Sequence, residues 1–228
     1  MNKKNKAEQT PERRSYMCEV RAQDGEANES IIEGRPIVYG SRTDLGFYDE
    51  IIEPGALDNA DLTDVRFLVN HDLSKIPLAR SRNNNLNSTM QLRPNENGLD
   101  IVARIDTGAN ADARALDSAV RRGDISGMSF MFFVDGDAWE DLESDHPTRR
   151  ITAISRVVEV SAVTFPAYDA TEIYARSNEA LESARQALES ARTQKAAETP
   201  AARSAAPDEL ELAKAKLAFT TITGGTTK

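Results

Sequence analysis

The chain has 228 residues, 28 basic against 37 acidic side chains for a net charge of −9, two histidines, one cysteine and 39% hydrophobic residues. That length suits one ordinary domain with tails, and the acidic excess argues against nucleic acid as a partner, because binding to a phosphate backbone is built from clustered positive charge. A lone Cys18 forms no internal disulfide, and with two histidines it cannot make a Cys/His-rich structural zinc site; the expectation is a protein of a reducing compartment that needs no cofactor and no metal.

The opening MNKKNKAEQTPERR is charged and has no apolar segment behind it, so it lacks the middle of a secretory signal. The longest apolar run, Met128 to Val134, is far short of the roughly 20 residues of a membrane-spanning helix, which predicts a soluble protein with no membrane partner. Residues 1–14 carry +3 and residues 177–228 are neutral, which leaves −12 on residues 15–176. Of 13 aromatic residues, only Phe219 follows Ser177, so the core belongs to the first three quarters. The reading is a disordered basic segment 1–14, a folded acidic body 15–176, and a helical and flexible tail 177–228.

In chain order, β-type runs are predicted at Tyr16–Arg21, Ile31–Tyr39, Val65–Val69, Leu99–Ile105, Ser129–Val134, Ile151–Ser155 and Val157–Phe165. Leu99, Ile101, Ala103 and Ile105 alternate with Asp100, Val102 and Arg104 after the turn Asn95-Glu96-Asn97-Gly98, the pattern of a half-buried strand. Pro54 in Glu53-Pro54-Gly55-Ala56-Leu57 opens a predicted short helix. Ala109 to Arg122 reads as a longer one, with Arg121 and Arg122 in the last turn and Gly123 as a left-handed cap. In the tail, Ala180, Leu181, Ala184, Ala187, Leu188 and Ala191 form a helical stripe suited to a partner. Residues 193–207 read as a flexible linker, and Leu210 to Phe219 as a short amphipathic piece.

Few residues can carry chemistry. His71 ends an apolar strand in Phe67-Leu68-Val69-Asn70-His71-Asp72, where an imidazole can be held rigidly with one edge open. His146 sits in an acidic loop before Pro147. Ser129 opens an apolar strand in Ser126-Gly127-Met128-Ser129-Phe130, and an alcohol becomes a useful nucleophile when a neutral imidazole takes its proton. Local chemistry alone leaves Ser126 and Ser129 as equal candidates. Glu159 interrupts the apolar strand Val157-Val158-Glu159-Val160, where a carboxylate costs several kcal/mol unless it is partnered. It is either an outward-facing edge residue or the acceptor that fixes an imidazole's tautomer.

Taken in order, Glu33-Gly34-Arg35-Pro36-Ile37-Val38-Tyr39-Gly40, Tyr48-Asp49-Glu50-Ile51-Ile52-Glu53-Pro54-Gly55-Ala56-Leu57, Asn70-His71-Asp72, Asn97-Gly98-Leu99, Arg122 to Phe130 and Glu159 to Tyr168 resemble the prohead (head maturation) serine proteases of tailed bacteriophages, relatives of the herpesvirus assemblins. The resemblance spans about residues 30–176. It implies an α+β, β-rich fold: a small, mostly antiparallel β-barrel of the assemblin type with peripheral helices. It implies His71 as general base, Ser129 as nucleophile and Glu159 as the third member, where assemblins use a second histidine.

Implied with the fold is a serine endopeptidase that cleaves capsid and scaffold polypeptides, and itself, inside the assembling prohead in the bacterial cytoplasm. A homodimer and removal of the tail by self-processing are further expectations. Two features depart from the pattern: Met131 stands where relatives often have Gly, and Thr164-Phe165-Pro166-Ala167 lacks the arginine pair that serves the oxyanion in assemblins. They favour the alternative of an inactive scaffold or capsid-assembly protein that keeps the protease fold. A metal hydrolase on His71, Asp72, Asp145 and His146 is a further alternative, without the spacing of common metalloprotease motifs.

Overall fold

In a computed structural model, residues 10–165 and 178–198 are described. Among them the order is β1 (Glu12–Met17), β2 (Arg21–Asp24), β3 (Glu29–Val38), β4 (Arg42–Asp44), β5 (Asp49–Ile52), β6 (Asp64–Val69), β7 (Ala79–Arg82), β8 (Met90–Asn95), β9 (Gly98–Asp106), α1 (Ala111–Arg122), β10 (Gly127–Glu140), β11 (Thr148–Val163) and α2 (Asn178–Glu198). The chain divides into two compact units after Ala184. The strands and α1 all belong to the first.

The β-rich α+β expectation holds, with two sheets. One runs β1-β10-β11-β5-β4, with β6 also paired to β11 and β7 to β6; the other runs β2-β3-β9-β8. The barrel implied by the resemblance is not closed by the hydrogen bonding of the described strands: β1 and β4 remain edges of the first sheet, β2 and β8 of the second. Nor is the first sheet wholly antiparallel. Residues 148–151 of β11 pair in parallel with β5 and residues 159–162 in parallel with β6. One long strand therefore carries two neighbours along the same edge, and this brings β6 and its following loop against the second half of β11.

Apolar alternation builds the core as expected. Leu99, Ile101, Ala103 and Ile105 of β9 pack with Ile32, Phe67, Met128, Phe130 and Val160 in one buried cluster. In α1, Asn110 accepts from the N–H groups of Asp112 and Ala113, Gly123 closes the helix at φ 78°, and Ala113, Leu116 and Val120 are its buried face. The predicted break between Ile151–Ser155 and Val157–Phe165 is absent, since β11 runs unbroken from Thr148 to Val163, two residues short of the predicted end.

Three local expectations change. Residues 54–59 form successive turns in place of a short helix: Ala56 N–H reaches Glu53 O, Asp58 reaches Gly55 O and Ala60 reaches Leu57 O, while Gly55 at φ 86° reverses the chain. The first strand starts at Glu12, so residues 12–14 belong to the folded body, because Glu12 and Arg14 are buried by pairing with other charges. In the tail, α2 continues to Glu198, past the expected start of the linker. Residues 1–9, Pro166 to Ser177 and the stretch from 199, including Leu210 to Phe219, lie outside the described residues.

Gly98 follows the two-residue turn Glu96-Asn97 at φ 140°, and a Cβ there would stand 1.9 Å from Ile37 O. Gly98→Ala is expected to cost at least about 3 kcal/mol of stability, read as a lower urea midpoint with unchanged slope. A midpoint equal to wild type would contradict the close approach of β9 to β3.

Candidate active site

His71 stands where β6 gives way to a tight reversal. Asn70 and His71 both take left-handed backbone conformations, φ 51° and 58°, a region asparagine tolerates through its short polar side chain and histidine enters less readily. Contacts on β11 hold the reversal. Asn70 N–H donates to Ala162 O at 2.9 Å, its side-chain amide donates to Thr164 Oγ1 at 3.0 Å, and its Oδ1 accepts from Thr164 N–H at 3.0 Å. The backbone N–H of His71 donates to Ser161 Oγ at 3.2 Å.

The ring is tied as well: Nδ1 lies 2.5 Å from Glu159 Oε1. Glu159 is fully buried, so it is not an outward-facing edge residue. Its second oxygen accepts from Ser161 Oγ at 2.6 Å. A carboxylate accepts and does not donate, so the Nδ1 facing it carries the proton and Nε2 of the neutral ring is left with its lone pair. This is the arrangement that fixes an imidazole as a base.

Ser129 shares this neighbourhood through strand register. On β10 it faces Ser161 of β11, and Met131 faces Glu159. Residues two apart on a strand lie on one face, so Ser129, Met131, Glu159 and Ser161 project from the same side of the sheet. Ser129 is fully buried, and its hydroxyl donates to Arg14 O of β1 at 2.7 Å rather than to His71. Ser126 lies just before β10, and its hydroxyl points at Met17 Sδ, 3.9 Å away. The structure thus places Glu159 against His71 and sets Ser129 on the adjoining strand, with its hydroxyl turned to β1.

Among the described residues, the four side chains of the metal alternative are not gathered at one place. His146 Nε2 lies 3.1 Å from Asp49 Oδ1, and the acidic and histidine side chains close enough to share an ion, among the described residues, are Asp44, Asp49 and His146. Neither His71 nor Asp72 belongs to that group. Asp49 is already paired with Arg42 at 2.6 Å, and Asp72 caps its own loop by accepting from Ser74 N–H and Oγ.

A buried charge network behind Ser129 was missed in the sequence. Arg14 donates to Glu50 from Nε at 2.5 Å and from Nη2 at 2.7 Å, and to Glu12 at 2.5 Å. Arg149 donates to Glu12 at 2.9 Å, to Glu50 at 3.2 Å and to Asp137 at 2.7 Å. Both guanidiniums are buried; burial opposes their charge, but Glu50 and Glu12 outweigh it at Arg14, as Glu12 and Glu50 do at Arg149, and each is held above its ordinary range. The available signal was the pair of charged segments Glu12-Arg13-Arg14 and Asp49-Glu50, each running directly into strand-forming residues (Tyr16; Ile51 and Ile52), which resembles an exposed strand end until the partners are known. The network fixes β1, and β1 supplies the carbonyl that holds Ser129.

A cleft of about 350 Å³ opens between the loop after β6 and α1, lined by Asn70 and Asp72 on either side of His71 in the chain. Leu68, Leu78, Leu116 and Ile125 line its apolar floor, and Lys75 and Asp112 bridge its rim at 3.4 Å.

A family model, the caudovirus prohead serine proteases, matches residues 17–186. The chain belongs to that family. It is a protease of the phage prohead kind. A solved structure, the bacteriophage T4 capsid assembly protease, overlays with a TM-score of 0.38 at 15% identity, covering 68% of this chain and 99% of that one. A comparison with curated protein sequences gives no match. No helix among the described residues is long and apolar enough to cross a membrane.

The Glu12 carboxyl carries a pH dependence. Burial alone would raise it, but the Arg14 and Arg149 guanidiniums outweigh burial and hold it below the usual carboxylate range. Its contribution is therefore complete above the unfolded value of about 4.3 and is lost as pH falls through the lower folded value. Glu12→Gln is expected to lower neutral-pH stability by about 3–5 kcal/mol, since two buried guanidiniums lose a partner, and to flatten the fall in stability below pH ~4. Urea unfolding from pH 7 to 3 checks both; an equally steep acid limb in the variant would contradict the pairing.

Proposed function

We propose that this prohead protease is a serine endopeptidase in which Ser129 is the nucleophile, His71 the general base and Glu159 the group that orients His71. The observation that carries the reading is the contact of His71 Nδ1 with the buried Glu159, which leaves Nε2 as the base. Strand register supports Ser129 over Ser126, because Ser129 faces Ser161 and lies on the same side of the sheet as Glu159.

The reaction begins when Ser129 leaves Arg14 O by rotation about χ1, which has three staggered wells. Its Oγ attacks the carbonyl carbon of the scissile peptide while its proton passes to His71 Nε2. Glu159 stabilises the imidazolium that results. The tetrahedral adduct collapses, the C–N bond breaks, and the imidazolium returns the proton to the departing amine. Water, deprotonated by the same nitrogen, then attacks the ester carbonyl, and the acyl–oxygen bond to Ser129 breaks as its hydroxyl is restored. Substrate side chains enter by the apolar cleft between the loop after β6 and α1.

Substrates, in this reading, are the phage's capsid and scaffold polypeptides and the chain itself, acted on within the prohead in the host cytoplasm. The segment from Ser177 is the piece removed by self-processing, and the enzyme works as a homodimer. A second reading, an inactive assembly protein, is favoured by the hydroxyl of Ser129 resting on Arg14 O and by Met131.

Intact masses after incubation at high concentration separate the two. The unmodified chain and Ser126→Ala are expected to lose defined terminal pieces, and Ser129→Ala to do so at least about 10⁴-fold more slowly. Equal trimming of all three would contradict the assignment. A chain that remains whole, and that also fails to cleave its co-expressed capsid protein, would favour the inactive reading.

A further inference from the structure

A serine hydroxyl offers one proton and two lone pairs, and Ser161 commits both kinds of bond to the candidate site. Its Oγ–H donates to Glu159 Oε2 at 2.6 Å and its lone pair accepts the backbone N–H of His71 at 3.2 Å. Glu159 Oε1 in turn meets His71 Nδ1. The bonds close a ring: carboxylate to imidazole, imidazole through its own backbone to the hydroxyl, hydroxyl back to the carboxylate. Both ends of His71 are held by it, the ring by Glu159 and the left-handed backbone by Ser161.

Each atom in the ring needs its partner. Ser161 and Glu159 are fully buried, so a polar atom released there loses its bond without a water to replace it. The terminal torsion of a Glu side chain is broad and roughly two-fold, so the carboxylate does not choose its own orientation; the hydroxyl on Oε2 chooses it. Ser161 also sits directly opposite Ser129, between the proposed nucleophile and the β6 end that carries the base.

We propose that Ser161 is a positioning residue for the protease reaction, setting the plane of the Glu159 carboxylate and the backbone of His71 together. It rests on the assignment of His71 and Glu159 above. Ser161 touches no reacting atom, so its effect falls on the rate of the chemical step and not on the capture of substrate.

The test uses the full chain with Ser161→Ala, and Ser161→Thr as the variant that keeps the hydroxyl. Two readouts are followed: the rate of self-processing by intact mass, and the far-downfield proton NMR signal of the His71 Nδ1–H, which a firm bond to a carboxylate protects from exchange. Ser161→Ala is expected to slow processing by about 10²-fold, the scale of a small misplacement of a catalytic group, and to lose the Nδ1–H signal while keeping the wild-type near-UV dichroism. Ser161→Thr restores both. Wild-type rate and signal in Ser161→Ala would overturn the proposal, as would a folded Ser161→Thr that restores neither. If Ser161→Ala does not fold, Ser161→Cys takes its place, of similar size and with a weak donor. A wild-type chain that processes nothing would count against the functional reading, and the Nδ1–H comparison would still decide the role of Ser161.

Discussion

A carboxylate with no access to water is the constraint around which the site is arranged. Glu159 lies in the apolar second half of β11, beside Val157, Val160, Ala162 and Val163, and an unpaired charge there would cost several kcal/mol. It is satisfied by two donors, the imidazole of His71 and the hydroxyl of Ser161. One of those donors comes from the adjoining element. The demand of Glu159 for partners therefore acts across the β11–β6 pairing and helps to draw the loop after β6 onto the sheet. The parallel register of Glu159 with Arg66 and of Ser161 with Leu68 makes this possible, since it ends β6 beside the strand that carries the carboxylate.

On the far side of β10 a second set of buried charges performs a related task. Arg14 and Arg149 bridge Glu12 and Glu50, joining β1, β5 and β11. A buried network of this kind adds little net stability over apolar packing, yet removal of one member is costly. It makes the position of β1 specific. Because Arg14 O accepts the Ser129 hydroxyl, the edge strand and the proposed nucleophile are mechanically linked, and the resting hydroxyl is held away from the base. In the proposed mechanism His71 and Glu159 are in place before substrate arrives, while Ser129 has a rotation still to make.

Much of this was legible in the sequence where a single local rule decides. The alternation from Leu99 to Ile105 marked β9, and the helix read from Ala109 to Arg122 with Gly123 as its cap matches α1 within two residues. The discomfort of Glu159 in an apolar strand pointed to a partner that the structure supplies. Where long-range pairing decides, the reading failed. Glu12 and Arg14 look like the end of a charged tail until Glu50 and Arg149 are brought beside them. The turns at residues 54–59 depend on the left-handed backbone of Gly55, which the Pro-Gly pair permits without revealing. The closed barrel came from resemblance, and strand pairing alone decides closure. Ser161 was hidden among many serines, since its importance arises from what lies one hydrogen bond away on either side.

The central claim, that Ser129 attacks with His71 as its base, is tested most directly by covalent labelling. A fluorophosphonate reacts with a serine whose proton an adjacent base removes. Peptide mapping should find the label on the peptide bearing Ser129, and Ser129→Ala and His71→Ala should each abolish it, with Ser126→Ala labelled as fully as the unmodified chain. A label that persists in Ser129→Ala and resides on Ser126, or labelling indifferent to His71, would contradict the claim.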